Sequence, residues 1–205
     1  CYWITLQRFR ALLEGEYRPM CDELGGRLAA SRTRLNEMDR QPREGAPDID
    51  RIFAAATPEE PEELALEAGT KATLRGHLGK TLGYLNKASD GAIMISAADL
   101  LGSTAVSETT KGFDEGYFHL HQNPGARNMS IGGICEDGIT CVLSGLAGYG
   151  RHVGAGASYG AFIAPLGHIP ARLHAIGRHM RRAVEGAAPP FHPYVLIRGH
   201  AGMKP

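Results

Sequence analysis

The chain has 205 residues, 43% of them hydrophobic, and its 22 Lys and Arg side chains balance its 22 Asp and Glu side chains. A formal charge of zero gives no reason to expect a polyanionic partner, and no apolar run is long enough to cross a bilayer. We therefore expect no nucleic-acid partner and no membrane partner. A length of 205 residues predicts one domain with an appendage.

The cysteines predict a reducing compartment. No Cys-x-x-Cys pair is formed by Cys1, Cys21, Cys135 and Cys141. We interpret them as reduced thiols and predict a cytoplasmic protein. Because the sequence lacks an initiator methionine and stops abruptly after Lys204-Pro205, we expect it to be a piece of a longer chain.

The first part of the chain is predicted to be a helical segment followed by a linker. Over residues 2–40, apolar side chains such as Leu6, Phe9 and Leu13 recur at helical spacing, with charges mostly between them. Over residues 41–71, prolines and acidic clusters predict a linker that contains one short helix around Ile49–Ala55.

From residue 72 onward the pattern predicts an α/β fold. Leu74, Leu78, Leu82 and Leu85 step by four or three residues, which indicates a helix, and the short apolar run 92–96 is typical of a buried parallel strand. Further strands are predicted at 128–131, 152–155 and 194–197, and further helices from Glu136 through Leu146 and over 162–184.

Three candidate functional residues lie where predicted strands give way to the following segments. Asp99, Glu136 and His200 would share one edge of a parallel sheet, where ligands of open α/β sheets bind. Glu136 follows a Gly-Gly turn and opens an apolar helix, so its carboxyl group would lose hydration and favour the neutral form that a catalytic acid needs. The alternative is an acidic residue in a first helical turn, stabilised there by the helix dipole.

Structural alternatives remain open for the other candidates. Asp99 could cap its own loop, and His200 could be a hydrogen-bonded structural histidine. Tyr159 and Phe162, spaced as on one helical face, could belong to the core. Cys135 is interpreted as a buried, inert thiol, since no Cys-His-Asn arrangement accompanies it.

Four motifs in this order are similar to motifs of the transketolase family. The segment 96–103 (SAADLLGS) resembles Ser-Ala-Asp-Leu-Thr-Gly-Ser, and 133–138 (GICEDG) resembles Gly-Val/Ile-Arg-Glu-His. The segment 154–162 resembles Gly-Gly-Thr-Phe-x-x-Phe and is followed by Ala171-Arg172-Leu173, while 194–202 resembles a strand ending in Thr-His-Asp-Ser. The resemblance covers about residues 72–205.

The resemblance implies a three-layer thiamine-diphosphate-binding fold with a mostly parallel central sheet. Residues 72–205 would be the pyrimidine-binding domain, truncated at its C-terminus. Residues 1–40 would be the helical tail of a preceding diphosphate-binding domain, and 41–71 the linker. That preceding domain would hold the diphosphate and a Mg²⁺ or Ca²⁺ ion, so no metal ligand is expected here and the piece alone is expected to be inactive.

The resemblance also implies a role for each candidate residue. Glu136 would hydrogen-bond N1′ of the cofactor's aminopyrimidine and act in catalysis, and Asp99 would lie near the thiazolium. Tyr159 and Phe162 would flank the pyrimidine ring, and His200 would hydrogen-bond the donor sugar.

The implied activity is transfer of a two-carbon ketol unit from a ketose phosphate to an aldose phosphate, as in pentose phosphate metabolism. The enzyme would be a homodimer with each active site between subunits. Cys135 and Asp137 stand where the family has Arg and His, a departure that bears on substrate identity. Two alternatives stay open: an enzyme like the first component of keto-acid dehydrogenases, and a non-catalytic dimerisation module of the same fold.

Overall fold

The computed structural model describes residues 2–39, 41, 44–99, 101–183 and 193–199. The chain divides into two compact units, Cys1–Glu44 and Gly45–Pro205. In the first unit, helix α1 spans Tyr2–Glu14 and helix α2 spans Arg18–Glu37, which confirms the predicted helical segment. No residue of α1 is buried, and Phe9 is 60% exposed, so the apolar positions of this helix face no core within the unit.

The second unit is an α/β fold, as predicted, with a parallel sheet of five strands among the described residues. In chain order the elements are α3 (Asp50–Ala55), α4 (Leu74–Ala88), β1 (Ile93–Ala97), β2 (Asp114–Tyr117), β3 (Ala126–Asn128), α5 (Glu136–Gly148), β4 (Val153–Ser158), α6 (Ile163–Ala183) and β5 (Tyr194–Arg198). The strand order is β2-β3-β1-β4-β5, and every pairing is parallel.

Apolar clusters lie on both faces of this sheet because side chains alternate along β1. Ile93 and Ile95 pack with Leu82 of α4 on one face. Met94 packs on the other face with a cluster that includes Leu143 of α5 and Leu166 of α6. Helices on both faces explain why β1 is apolar throughout, which is the pattern from which the sequence predicted it.

Two strands differ from the sequence prediction. β3 ends at Asn128, which is paired with Ile95, so Met129 and the residues after it lie beyond the strand rather than in it. The sequence offered no sign of β2, because all four of its residues, Asp-Glu-Gly-Tyr, are exposed on an edge strand and show no apolar alternation.

Part of the predicted linker packs on the second unit. Ile49 and Ile52 lie against the apolar cluster beneath α4, and Arg51 forms an ion pair with Asp90. The Asp48 N–H donates to the Ser89 carbonyl oxygen at 3.2 Å. The domain boundaries drawn from the resemblance stay a prediction. In the described part of the chain, no helix has both the length and the apolar character to span a membrane.

Asn86 ties α4 to the sheet, and we predict that it is a stability determinant. Its fully buried amide donates to the Thr109 carbonyl at 2.9 Å and accepts from the Ile93 N–H at 2.7 Å. Asn86→Ala would leave both buried backbone groups unpaired and should lower the free energy of unfolding by about 2–3 kcal/mol. Urea unfolding measures this, and the exposed neighbour Lys87→Ala is the control; equal stability of the two variants would contradict the prediction.

Candidate functional site

A cavity of about 360 Å³ opens at the carboxyl edge of the sheet, where the predicted site residues were expected. It is lined by Ala98, Asp99, Ile134, Glu136 and Phe162. These residues belong to the connections that follow β1, β3 and β4, because parallel strands end at one edge of their sheet. We call this space the Glu136 cavity.

Glu136 is the first residue of α5 and is half-buried. The turn before it needs a glycine, since Gly132 has a φ of 80°. Cys135 is the N-cap residue, and its Sγ accepts a hydrogen bond from the Gly138 N–H at 3.4 Å. Cys135 is exposed, so its predicted burial is wrong. Glu136 thus lies in the first helical turn, as the alternative interpretation expects, and its side chain also lines the cavity.

A buried hydroxyl group holds one oxygen of Glu136. The Oγ of Ser158, at the end of β4, donates to Glu136 Oε1 at 3.1 Å, and Ser158 is fully buried. No hydrogen bond to the other oxygen, Oε2, is present in the described part of the chain. One carboxyl oxygen is therefore fixed by Ser158, while no described residue hydrogen-bonds the other.

Asp99 follows β1 in a left-handed conformation, with a φ of 60°. Its side chain is exposed, and within the described residues it makes no hydrogen bond, so the structure gives no support to a loop-capping role. A left-handed backbone at a non-glycine residue costs free energy and is found at ligand sites more often than elsewhere. Asp99 is thus placed to offer a carboxylate to the cavity.

The two predicted aromatic residues follow β4. Phe162, in a 3₁₀ turn at Gly160–Phe162, is 57% exposed and lines the Glu136 cavity, which excludes the core role considered for it. Tyr159 is half-buried and does not line this cavity. His200 lies outside the described residues, although β5 ends close by with Arg198 opposite Ser158.

A second cavity of about 250 Å³ adjoins the first and shares Asp99 and Ile134 with it. It also offers the side chains of Tyr117 and Ser130. The sequence analysis missed these two residues and Ser158. Tyr117 and Ser130 belong to none of the four motifs. Ser158 lies within the motif 154–162, but its partner Glu136 belongs to a different motif, so the sequence did not indicate their contact.

Among the described residues that line the two cavities there are carboxylates but no lysine or arginine. Such surroundings suit a ligand that donates hydrogen bonds or carries positive charge, rather than a phosphate group. Beside the first cavity, Asp137 lies 3.6 Å from His168 Nε2 of α6, and this Asp137 is exposed. Among the described residues, no three His, Cys, Asp or Glu side chains lie together as a metal site would require.

Comparison with known proteins adds no relative. No protein-family model matches the sequence, and no curated protein matches it. The resemblance to transketolases therefore depends on the four sequence motifs.

Proposed function

We propose that this chain supplies the pyrimidine-binding half of a thiamine-diphosphate-dependent, transketolase-like active site, and that its α/β fold is the thiamine-diphosphate-binding fold. The observation that carries the proposal is the Glu136 cavity. It brings together Asp99, Glu136 and Phe162, which come from three separate motifs. A parallel sheet brings the segments after its strands to one edge, and what supports the proposal is that these three residues line a single cavity there.

The residues present fit a protonatable aromatic ring. The cavity volume of about 360 Å³ lies at the lower end of the range for small-molecule sites, about 300–1,000 Å³. Ala98, Ile134 and Phe162 supply apolar walls, and Phe162 offers an aromatic face for stacking. The free oxygen of Glu136 is the group that would hydrogen-bond the ring nitrogen N1′.

When bound, thiamine diphosphate supplies the electron sink for cleavage of a carbon–carbon bond in a ketose. The side chains of this chain bind and orient it. Glu136 holds or gives the proton at N1′, while the Asp99 carboxylate favours a cationic ring nearby. The diphosphate and a Mg²⁺ or Ca²⁺ ion would be held by a preceding domain, in a homodimer that acts on sugar phosphates.

Calorimetric titration of the full-length protein with thiamine diphosphate and Mg²⁺ tests this proposal. We expect saturable binding, followed by two-carbon transfer from a ketose phosphate to an aldose phosphate. Turnover of pyruvate with an electron acceptor, without ketol transfer, would favour the keto-acid dehydrogenase alternative. Absence of cofactor binding would contradict the proposal and favour a dimerisation module.

A further inference from the structure

Ser158 is the residue of β4 that reaches the candidate site. Its backbone is fixed on one side by β5, since Ser158 is paired with Arg198 and its carbonyl accepts from the Gly199 N–H at 3.0 Å. Its side chain is fully buried and donates to Glu136 Oε1 at 3.1 Å. Ser158 is the last residue of β4, but its full burial and its pairing with β5 make this hydroxyl a fixed point for the Glu136 carboxyl.

A hydroxyl group is suited to a partner that changes its protonation state. It donates to an ionised carboxylate, which has only acceptors, and after a rotation of the O–H it accepts from a protonated carboxyl group. The hydrogen bond can therefore persist whether Glu136 is charged or neutral. A backbone N–H could only donate, and an alanine would leave the carboxyl without this partner.

We propose that Ser158 is a positioning residue that keeps Glu136 aimed into its cavity in both protonation states. In this arrangement Ser158 occupies Oε1, and Oε2 is left to meet the ligand. The inference rests on the proposed function in one respect, since the expected consequence of the Ser158 hydrogen bond is cofactor binding through Glu136. Its physical content, a hydroxyl that controls one carboxyl group, is testable without cofactor.

The first measurement follows the Glu136 carboxyl group in the cofactor-free, full-length protein. Carbon-13 NMR of labelled glutamate, with the Glu136 signal assigned by its loss in Glu136→Gln, gives the chemical shift of this carboxyl carbon in acidic and in neutral buffer. Ser158→Ala removes the hydrogen bond to Oε1 in both buffers, so we expect the Glu136 signal to move from its position in the parent protein in both. In the described part of the chain, the titratable groups on the segments next to Glu136 and Ser158 are unchanged in every variant, so the difference reports the hydroxyl; they are Asp99, Cys135, Asp137, Tyr159, His168 and Arg198.

The second measurement is the dissociation constant of thiamine diphosphate with Mg²⁺. Ser158→Ala should raise it about tenfold, equivalent to about 1.4 kcal/mol. Ser158→Thr, which keeps the hydroxyl, should restore both the carboxyl signal and the affinity. The matched control is Ser144→Ala, since Ser144 is a buried serine of α5 whose Oγ has no hydrogen-bond partner among the described residues; it should change neither measurement.

The outcomes separate this inference from the proposed function. An unchanged Glu136 carboxyl signal in Ser158→Ala, with the protein folded by circular dichroism, would overturn the positioning role. A moved signal in a protein that binds no thiamine diphosphate would uphold the control of Glu136 by Ser158 and remove the proposed function. If Ser158→Ala fails to fold, Ser158→Cys replaces it, because a thiol is a much weaker donor in a similar volume.

Discussion

Glu136→Gln should lower ketol transfer by the full-length protein about 10²–10⁴-fold, the usual contribution of a positioned acid or base. Glutamine keeps the size of the side chain and can still accept from the Ser158 hydroxyl, so the fold should persist. Glutamine cannot exchange a proton with a ring nitrogen, and this loss alone should account for the expected fall in activity. Transfer is measured as aldose-phosphate-dependent consumption of a ketose phosphate at saturating cofactor.

Asp137→Asn is the matched control for that experiment. It removes a carboxylate from the same first turn of α5, but Asp137 is exposed and does not line the Glu136 cavity. Its contact with His168 is an exposed pair whose loss should cost little. Activity should stay within about twofold of the parent. Equal activity of Glu136→Gln and Asp137→Asn would contradict the assigned role of Glu136.

The helices and strands that the sequence predicted are those whose own residues show an apolar run or an apolar periodicity. β1 and β4 are buried along almost all of their length, and runs of small and branched apolar residues were enough to place them. β2 is an exposed edge strand whose pairing comes only from its neighbour β3, so its sequence contains no local signal. The helices of the first unit were predicted from spacing alone, although no residue of α1 is buried.

A site residue could be predicted from the sequence only where the same motif contains that residue and the neighbouring residues that position it. Glu136 was placed at a helix start because the Gly-Gly turn precedes it in the chain. Its hydrogen-bond partner Ser158 is 22 residues away and becomes visible only when β4 and α5 are packed together. The resemblance of the motifs predicted which residues would lie close together. The distance between Ser158 and Glu136, and the finding that Glu136 Oε2 has no partner among the described residues, could be obtained only from the fold.

Gly154→Ala should be the most destabilising small substitution in β4. A Cβ at Gly154 would lie 2.6 Å from the Leu143 carbonyl oxygen and 2.9 Å from its carbonyl carbon, closer than real contacts allow. Because both are backbone atoms of α5, no side-chain rotation relieves the overlap, and the helix must move away from the sheet. We expect the free energy of unfolding to fall by about 3 kcal/mol, near the upper end for overpacking, as measured by urea unfolding.

Gly145→Ala on α5 is the control, since a Cβ there meets nothing within 4 Å. It should stabilise the helix by up to about 1 kcal/mol, as alanine is the better helix former. A Gly154→Ala protein as stable as its parent would show that α5 does not rest on β4 at this point.

Because α5 also places Glu136 against Ser158, the displacement in Gly154→Ala should weaken thiamine diphosphate binding even in the molecules that remain folded. Glu136→Gln, by contrast, should remove activity while leaving the urea transition in place, so the two variants distinguish the position of the carboxyl group from its chemistry.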